Sequence, residues 1–276
     1  MNTCSRSFIM NEKKRIVVKL GTSTLTHPSG RLNLRRMEKI VRALADLQGK
    51  GNDIILVTSA AISAGTAKMR LAERPTELRM KMAIAAVGQA RLMHIYDTLF
   101  SEYNRTVAQI LLSGDNVDDD AKEANLSNTF EALLEMGVIP IVNENDSVSS
   151  AEIEVGHHKI LGDNDTLSAI VARLTHADLL ILMSDIEGLY SADPRQNPDA
   201  RLLHEVHELS PAIMQMAGGA GTLRGTGGMQ TKLTAAKIAM DAGFDMVITN
   251  NKRVENLYDI VEGKPVGTRF TKLQSL

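Results

Sequence analysis

The feature that most constrains this chain is a repeated alternation of short apolar runs with longer segments of helical period. Ile16 to Leu20 reads as a strand that ends at Gly21. Met37, Ile40, Val41, Leu44 and Leu47 then recur at three-and-four spacing, which puts them on one face of a helix closed by Gly49 to Asn52. Ile54 to Val57 reads as a second strand. A long helix is expected over Glu77 to Phe100, with Met82, Ala86, Val87, Ala90, Met93 and Tyr96 facing inward. The pattern continues as strand (Val107 to Leu112), helix (Ala124 to Glu135), strand (Val138 to Val142), helix (Thr166 to Leu174) and strand (Asp178 to Met183). It ends as helix (Thr231 to Ala242), strand (Met246 to Thr249) and helix (Val254 to Val261). Strands alternating with helices in this way imply an α/β protein with a mostly parallel sheet between helices. A change of character near Ser184 carries no Pro/Gly/Ser-rich linker, so residues 13–276 are expected to form one domain with two lobes. Residues 1–12 are expected to be a disordered tail.

Composition removes several function classes. A net charge of −2, no Trp, four Tyr and five Phe give neither a basic surface nor stacking platforms, so no nucleic-acid partner is expected. The single cysteine, Cys4, cannot close an internal disulfide, which suits a reducing cytoplasm. Apolar runs such as Leu179 to Met183 are far short of the ~20 residues a membrane helix needs, so no membrane association is expected.

In an open α/β sheet, ligands bind beyond the carboxyl ends of the strands. The unusual residues gather there: Lys19 to Ser23, Thr58 to Ala61, Asn143 to Asp146, and Ser184-Asp185. Two more clusters are Gly162 to Asp165 and Gly225 to Lys232. Glycines at such turns let backbone N–H groups approach an anion, and a helix beginning after Gly227-Gly228 adds its N-terminal dipole. Lys232 in that first turn runs against the dipole, and a phosphate would neutralise both. Taken alone, the stretch also fits an ordinary surface loop before a helix. Lys19, closing a strand of β-branched residues, fits either a ligand-facing lysine or one that snorkels at the sheet rim. Together with Asp165 the two lysines suit phosphoryl transfer, in which positive charge must meet the transferring oxygens. A carboxylate acceptor needs no general base, being ionised near pH 7. No Walker A sequence, protein-kinase signature, GxGxxG turn or Cys/His zinc spacing is present, and no protein-held metal is expected.

The segments VVKLGTS, VTSAAISAG, AAVGQARLM, IPIVNEND, GDNDTLSA, SDIEGLYSADPR and GTGGMQTK, in this order between about Lys14 and Phe270, resemble the amino acid kinase family. The combination of NEND, GDNDTLSA and GTGGMQTK is similar to the branch that phosphorylates the γ-carboxylate of L-glutamate with ATP and opens proline biosynthesis. The resemblance implies a three-layer αβα sandwich with the acceptor in the N-terminal half and ATP in the C-terminal half. It implies catalytic Lys19 and Lys232, held by Asp165, and glutamate on Ser59, Asp146 and Asn164. It also implies ATP on Lys19, Ser184, Asp185 and the run Thr226, Gly227, Gly228, Met229, Gln230, Thr231 and Lys232, with Mg²⁺ held mainly by phosphates and water. L-proline is implied as a feedback inhibitor and a homo-oligomer as the assembly. Sibling kinases acting on acetylglutamate, aspartate or uridylate, and a catalytically silent amino-acid or nucleotide sensor, are the alternatives.

The chain departs from the family pattern in four places. Ala60 stands where glycine is common, and the loop is expected to have adapted to it, so that glycine there would only add flexibility. Ser184 replaces threonine. His157 to Leu161 reads as a short insertion. The sequence stops where many relatives continue into a PUA-type domain, so the short form is expected. His157-His158 and Asp118 to Asp120 read as solvated loop residues, and Met80, Met82 and Met93 as core or subunit-contact residues.

Overall fold

Strand β1 (Arg15–Leu20) lies at the centre of an eight-stranded sheet. The computed structural model describes residues 13–113, 119–148, 163–194, 196–216 and 228–272; the expected disordered tail and the insertion at 157–161 lie outside them. Helices α1 (Thr22–Leu25) and α2 (Leu34–Gly49) lead to β2 (Asp53–Val57), then α3 (Ala61–Lys68), α4 (Leu78–Ser101) and β3 (Val107–Leu112). Next come α5 (Asp120–Glu135), β4 (Ile139–Glu144), α6 (Asn164–Leu174), β5 (Leu179–Ser184), the short β6 (Glu205–Val206) and α7 (Pro211–Met216). The last elements are α8 (Met229–Ala242), β7 (Asp245–Asn250), α9 (Asn256–Val261) and β8 (Thr268–Phe270). The strand order is β3-β4-β2-β1-β5-β7-β8-β6, and all described pairings are parallel except β7 with β8. The chain runs outward from β1 through β2 on one side and returns through β5 on the other. The crevice beyond the ends of β1 and β5 is therefore the topological switch point where α/β sheets take ligands.

The sheet has one helical layer on each face, because each strand is apolar on both sides. Ile16, Val18 and Leu20 pack with α2, α4 and α9, while Val17 packs with α5, α6 and α8. This alternation fixes the site. Lys19 shares the face of Val17 and so points toward the layer of α6 and α8.

Every strand and helix expected from the sequence is present, but the inward face of α4 is not the expected one. Ala86 and Ala90 are exposed, and Met82, Val87 and Met93 only half-buried; the buried stripe is Ile84, Ala85, Gly88, Gln89, Leu92, Ile95, Tyr96 and Phe100. The helix is apolar around most of its circumference, so periodicity does not select a face. The selection comes from α3. A Cβ on Gly88 would lie 1.7 Å from the Ala61 carbonyl oxygen, and one on Gly65 2.0 Å from that of Ile84. The two helices thus meet backbone to backbone, and the glycine stripe has to face inward. Five elements were not expected from the pattern. These are α1, α3, α7, β6 and β8, all too short or too small-residue-rich to show a period.

Candidate active site

Three elements deliver the central charges. Lys19 comes from β1, Asp165 from the first turn of α6 and Lys232 from the first turn of α8. Lys19 Nζ lies 2.5 Å from Asp165 Oδ1, and Lys232 Nζ lies 3.0 Å from Oδ2. Thr231 Oγ1 also donates to Oδ2 at 2.9 Å. Asp165 is 1% exposed and the Lys232 side chain 8%. Burial by itself would raise the Asp165 pKa, but the charges of Lys19 and Lys232 and their hydrogen bonds outweigh it and hold the carboxyl well below the usual carboxylate range. One carboxylate cannot neutralise two ammonium groups, so the cluster keeps about one positive charge in a region of low dielectric, where an anion is strongly favoured.

The expectation for Lys232 needs a correction. Its placement against the helix dipole is offset in the protein itself by Asp165, so a phosphate is not required to explain it. Among the described residues, what remains open to an anion is the N-terminus of α8. Gly228, its first flanking residue, makes no side-chain cap bond. The start of α6 is the contrast. Asp163 Oδ1 accepts from the backbone N–H groups of Asp165 and Thr166 at 2.7 and 2.9 Å, and Oδ2 accepts from Thr166 Oγ1. This cap fixes the turn that aims Asn164 and Asp165.

A second cluster lies at the ends of β2 and β4. Asn164 Nδ2 donates to Ser59 Oγ at 2.7 Å, to the Thr58 carbonyl at 3.0 Å and to Asn143 Oδ1 at 3.3 Å. Thr58 is held from its other sides by Tyr96 Oη at 2.8 Å from its Oγ1 and by its own N–H donating to the Val142 carbonyl. The next residue, Ala60, has φ 77° and ψ 17° and is buried. This contradicts the expectation that the loop has adapted to the alanine. The backbone is left-handed there, which costs an alanine about 1–2 kcal/mol, and the clamps on Thr58 hold it in place.

A match to a model of the amino acid kinase family covers residues 14–250. The chain belongs to the amino acid kinase family. Among curated relatives it is 51% identical over 261 residues to the glutamate 5-kinase of Clostridium perfringens, covering 95% of this chain and 96% of that one. It is 52% identical over 270 residues to the glutamate 5-kinase of Clostridium tetani, covering 98% and 99%. This kinase also shares its fold with the carbamate kinase of Giardia lamblia bound to AMP-PNP, with a TM-score of 0.66 at 15% identity and coverage of 94% and 99%.

Of the residues expected at the kinase's site, Lys19, Asp165, Lys232 and Thr231 form one bonded group, and Ser59 and Asn164 another. Gly228, Met229 and Gln230 open α8 beside the first group; Thr226 and Gly227 lie outside the described residues. Ser184 ends β5, its Oγ donating to Asp185 Oδ1 at 3.2 Å, and neither is bonded to the lysines. Asp146 follows β4 and has no described bond to Ser59 or Asn164. Burial and the neighbouring Glu144 raise its pKa to about 6 against an opposing pull from Arg74. Sequence reasoning assigned no role to Asp163, Asn143 or Gln89. The signal was present, since each is a polar residue inside a quoted segment, but only packing shows what it touches. Among the described residues no group of three or more His, Cys, Asp or Glu is placed to hold a metal, and no helix is long and apolar enough to cross a membrane.

Proposed function

We infer that this protein transfers the γ-phosphoryl group of ATP to the side-chain carboxylate of L-glutamate, giving ADP and L-glutamyl 5-phosphate, the opening step of proline biosynthesis. The carrying observation is the pair of lysines sharing one buried carboxylate at the sheet's switch point, in a chain half identical to glutamate 5-kinases.

Both reactants are anions, and their repulsion is the main obstacle. The surplus positive charge of Lys19 and Lys232 offsets it, and in the loose transition state it meets the charge spread over the transferring oxygens. Asp165 orients the two ammonium groups and stays ionised while doing so. The N–H groups at the start of α8, with Ser184, Asp185 and the residues from Thr226 onward, would hold the phosphates. Ser59 and Asn164 would hold the acceptor carboxylate, and Asp146 the substrate's ammonium group. A carboxylate oxygen of glutamate attacks the γ-phosphorus, and the bond to the β–γ bridging oxygen breaks. No proton has to move.

Mg²⁺ would accompany ATP and screen its phosphate oxygens. Asp165 is committed to two lysines and a threonine, so phosphates and water are the fitting ligands. L-Proline carries the same α-carboxylate and a cationic nitrogen on the α-carbon, so it would compete with glutamate through Asp146. Exposed Met69, Leu71 and Met80 around the α3–α4 turn would suit self-association into a homo-oligomer.

The deciding experiment is ADP release with hydroxylamine present to trap the acyl phosphate as a hydroxamate. Hydroxamate should form with L-glutamate and not with acetylglutamate or aspartate. Formation with either of those and not with glutamate would replace this reading by a sibling kinase.

A further inference from the structure

Gln89 lies in the middle of α4, 8% exposed, and nothing in the mechanism above uses it. A buried primary amide costs stability unless its groups are paired, yet Gln89 has one described bond, from Asn143 Nδ2 to its Oε1 at 2.9 Å. Asn143 Oδ1 in turn accepts from Asn164 Nδ2, which also donates to the Thr58 carbonyl and to Ser59 Oγ. The direction of this row is forced. A carbonyl oxygen only accepts, so Asn164 must turn its NH₂ toward Thr58. The two N–H groups of Asn164 are shared among three oxygens. Asn143, 3.3 Å away, turns its oxygen to them because the opposite orientation would set two NH₂ groups face to face. This leaves its own NH₂ facing Gln89, which offers its oxygen.

The far end of the row is the substrate site. An amide NH₂ does not accept, so Ser59 can only receive a hydrogen bond from Asn164, and its own proton is turned elsewhere. The leftover atoms, Gln89 Nε2 and Asn164 Oδ1, are buried without a partner among the described residues. A leucine at position 89 would remove the unpaired Nε2 but leave the buried Asn143 Nδ2 without its one described acceptor. What the glutamine supplies is therefore an oxygen for Asn143 rather than apolar packing.

We propose that Gln89 is a positioning residue for the acceptor. The Thr58 carbonyl sets the direction of the row, and Gln89, by accepting from Asn143 Nδ2, keeps the Asn143 oxygen against Asn164 Nδ2. This pins the Asn164 side chain where its N–H lies on the Ser59 oxygen, leaving the Ser59 O–H to donate to the substrate carboxylate. The proposal rests on the glutamate-kinase reading given above.

The test measures hydroxamate formation at varied glutamate and varied ATP for wild type, Gln89→Leu and Gln89→Glu at pH 8. Gln89→Leu should raise KM for glutamate about 3–10-fold and leave KM for ATP within about twofold, the loss of one directed hydrogen bond. Ionised glutamate at 89 can only accept, so Gln89→Glu should recover most of the lost affinity; a packing role predicts the opposite order, since leucine is the better buried residue. An unchanged KM in Gln89→Leu, or a Gln89→Glu no better than Gln89→Leu, overturns the proposal. Should either variant fail to fold, Gln89→Met measured alone and in a Ser59→Ala background decides. The effect of position 89 should vanish once the Ser59 hydroxyl is gone, and full additivity rejects the relay. Wild type that makes no glutamate hydroxamate would sink the assigned activity itself; active wild type with indifferent Gln89 variants would sink only this role.

Discussion

Both ends of β1 carry a cation set against carboxylates, and the two are built differently. At the amino end, Arg15 donates to both oxygens of Glu131, to the Thr175 carbonyl and to Asp53, and its backbone N–H bonds to Asp178. Lys13 adds a second bond to Asp53. Carboxylates match or outnumber cations there, the Arg15 side chain is about one-fifth exposed, and both terminal nitrogens of its fork are bonded. At the carboxyl end, Asp165 is the one carboxylate that Lys19 and Lys232 share among the described residues, almost out of contact with water. The first arrangement is complete in itself and ties β1 to β2, α5 and the start of β5. The second, counted over the described residues, is short of one negative charge. Closure fits a structural ion pair, and a buried surplus of positive charge fits the anion site proposed above.

The sharpest test is to remove one cation from each end. Lys19→Ala and Lys232→Ala should each lower kcat roughly 10²–10³-fold, the loss expected for one electrostatic donor to the transition state, with the fold retained by circular dichroism. Arg15→Ala should keep kcat within about twofold and instead lower stability by about 1–3 kcal/mol, because Glu131 and Thr175 lose their partner. Thermal melts beside steady-state rates separate the two. An Arg15 variant as inactive as the lysine variants would erase the distinction between the ends.

A smaller effect concerns Asp146, whose carboxyl sits at about 6 rather than 3.8. The raised folded value means the free protein loses stability as the pH rises through about 6, when the half-buried group ionises beside Glu144. A bound ammonium needs the ionised form. KM for glutamate should therefore be flat above about pH 6 and rise by up to about tenfold per unit below it. Asp146→Asn should bind glutamate poorly at all pH values and lose this dependence. A wild-type KM that is level from pH 5 to 8 would remove Asp146 from the ammonium site.

The smallest effect is expected at Ala60. Its φ of 77° is one that glycine adopts freely, so Ala60→Gly should stabilise the protein by about 1 kcal/mol, less what the glycine costs in unfolded-state entropy. A rise in denaturation midpoint with unchanged slope would confirm relief of strain at the carboxyl end. A fall would show that the clamps on Thr58, rather than the residue's own preference, set the energy of that loop.

Much of this was legible in the chain. The order of the longer strands and helices follows from short apolar runs that alternate with segments of three-and-four spacing, the run length separating strand from helix. The period-2 rule applied to β1 already places Lys19 on the face of Val17. The glycine-rich approach to α8 and the polar residues after β2, β4 and β5 mark the end of the sheet where a ligand belongs. What the chain does not carry locally is the partner of each group. Asp165 lies 146 residues from Lys19 and 67 from Lys232, and only the parallel crossovers bring the three together. The inward face of α4 depended on two glycines meeting another helix's backbone, an event with no period to announce it. The left-handed Ala60 runs against the preference of its own residue, and only the surrounding hydrogen bonds hold it there. The sequence alone determined which segments would be strands and helices and where charge would gather, since those depend on neighbours along the chain. Which lysine shares which carboxylate, and which way a row of amides points, was decided by tertiary structure, because hydrogen-bond direction is set by the one partner that cannot turn.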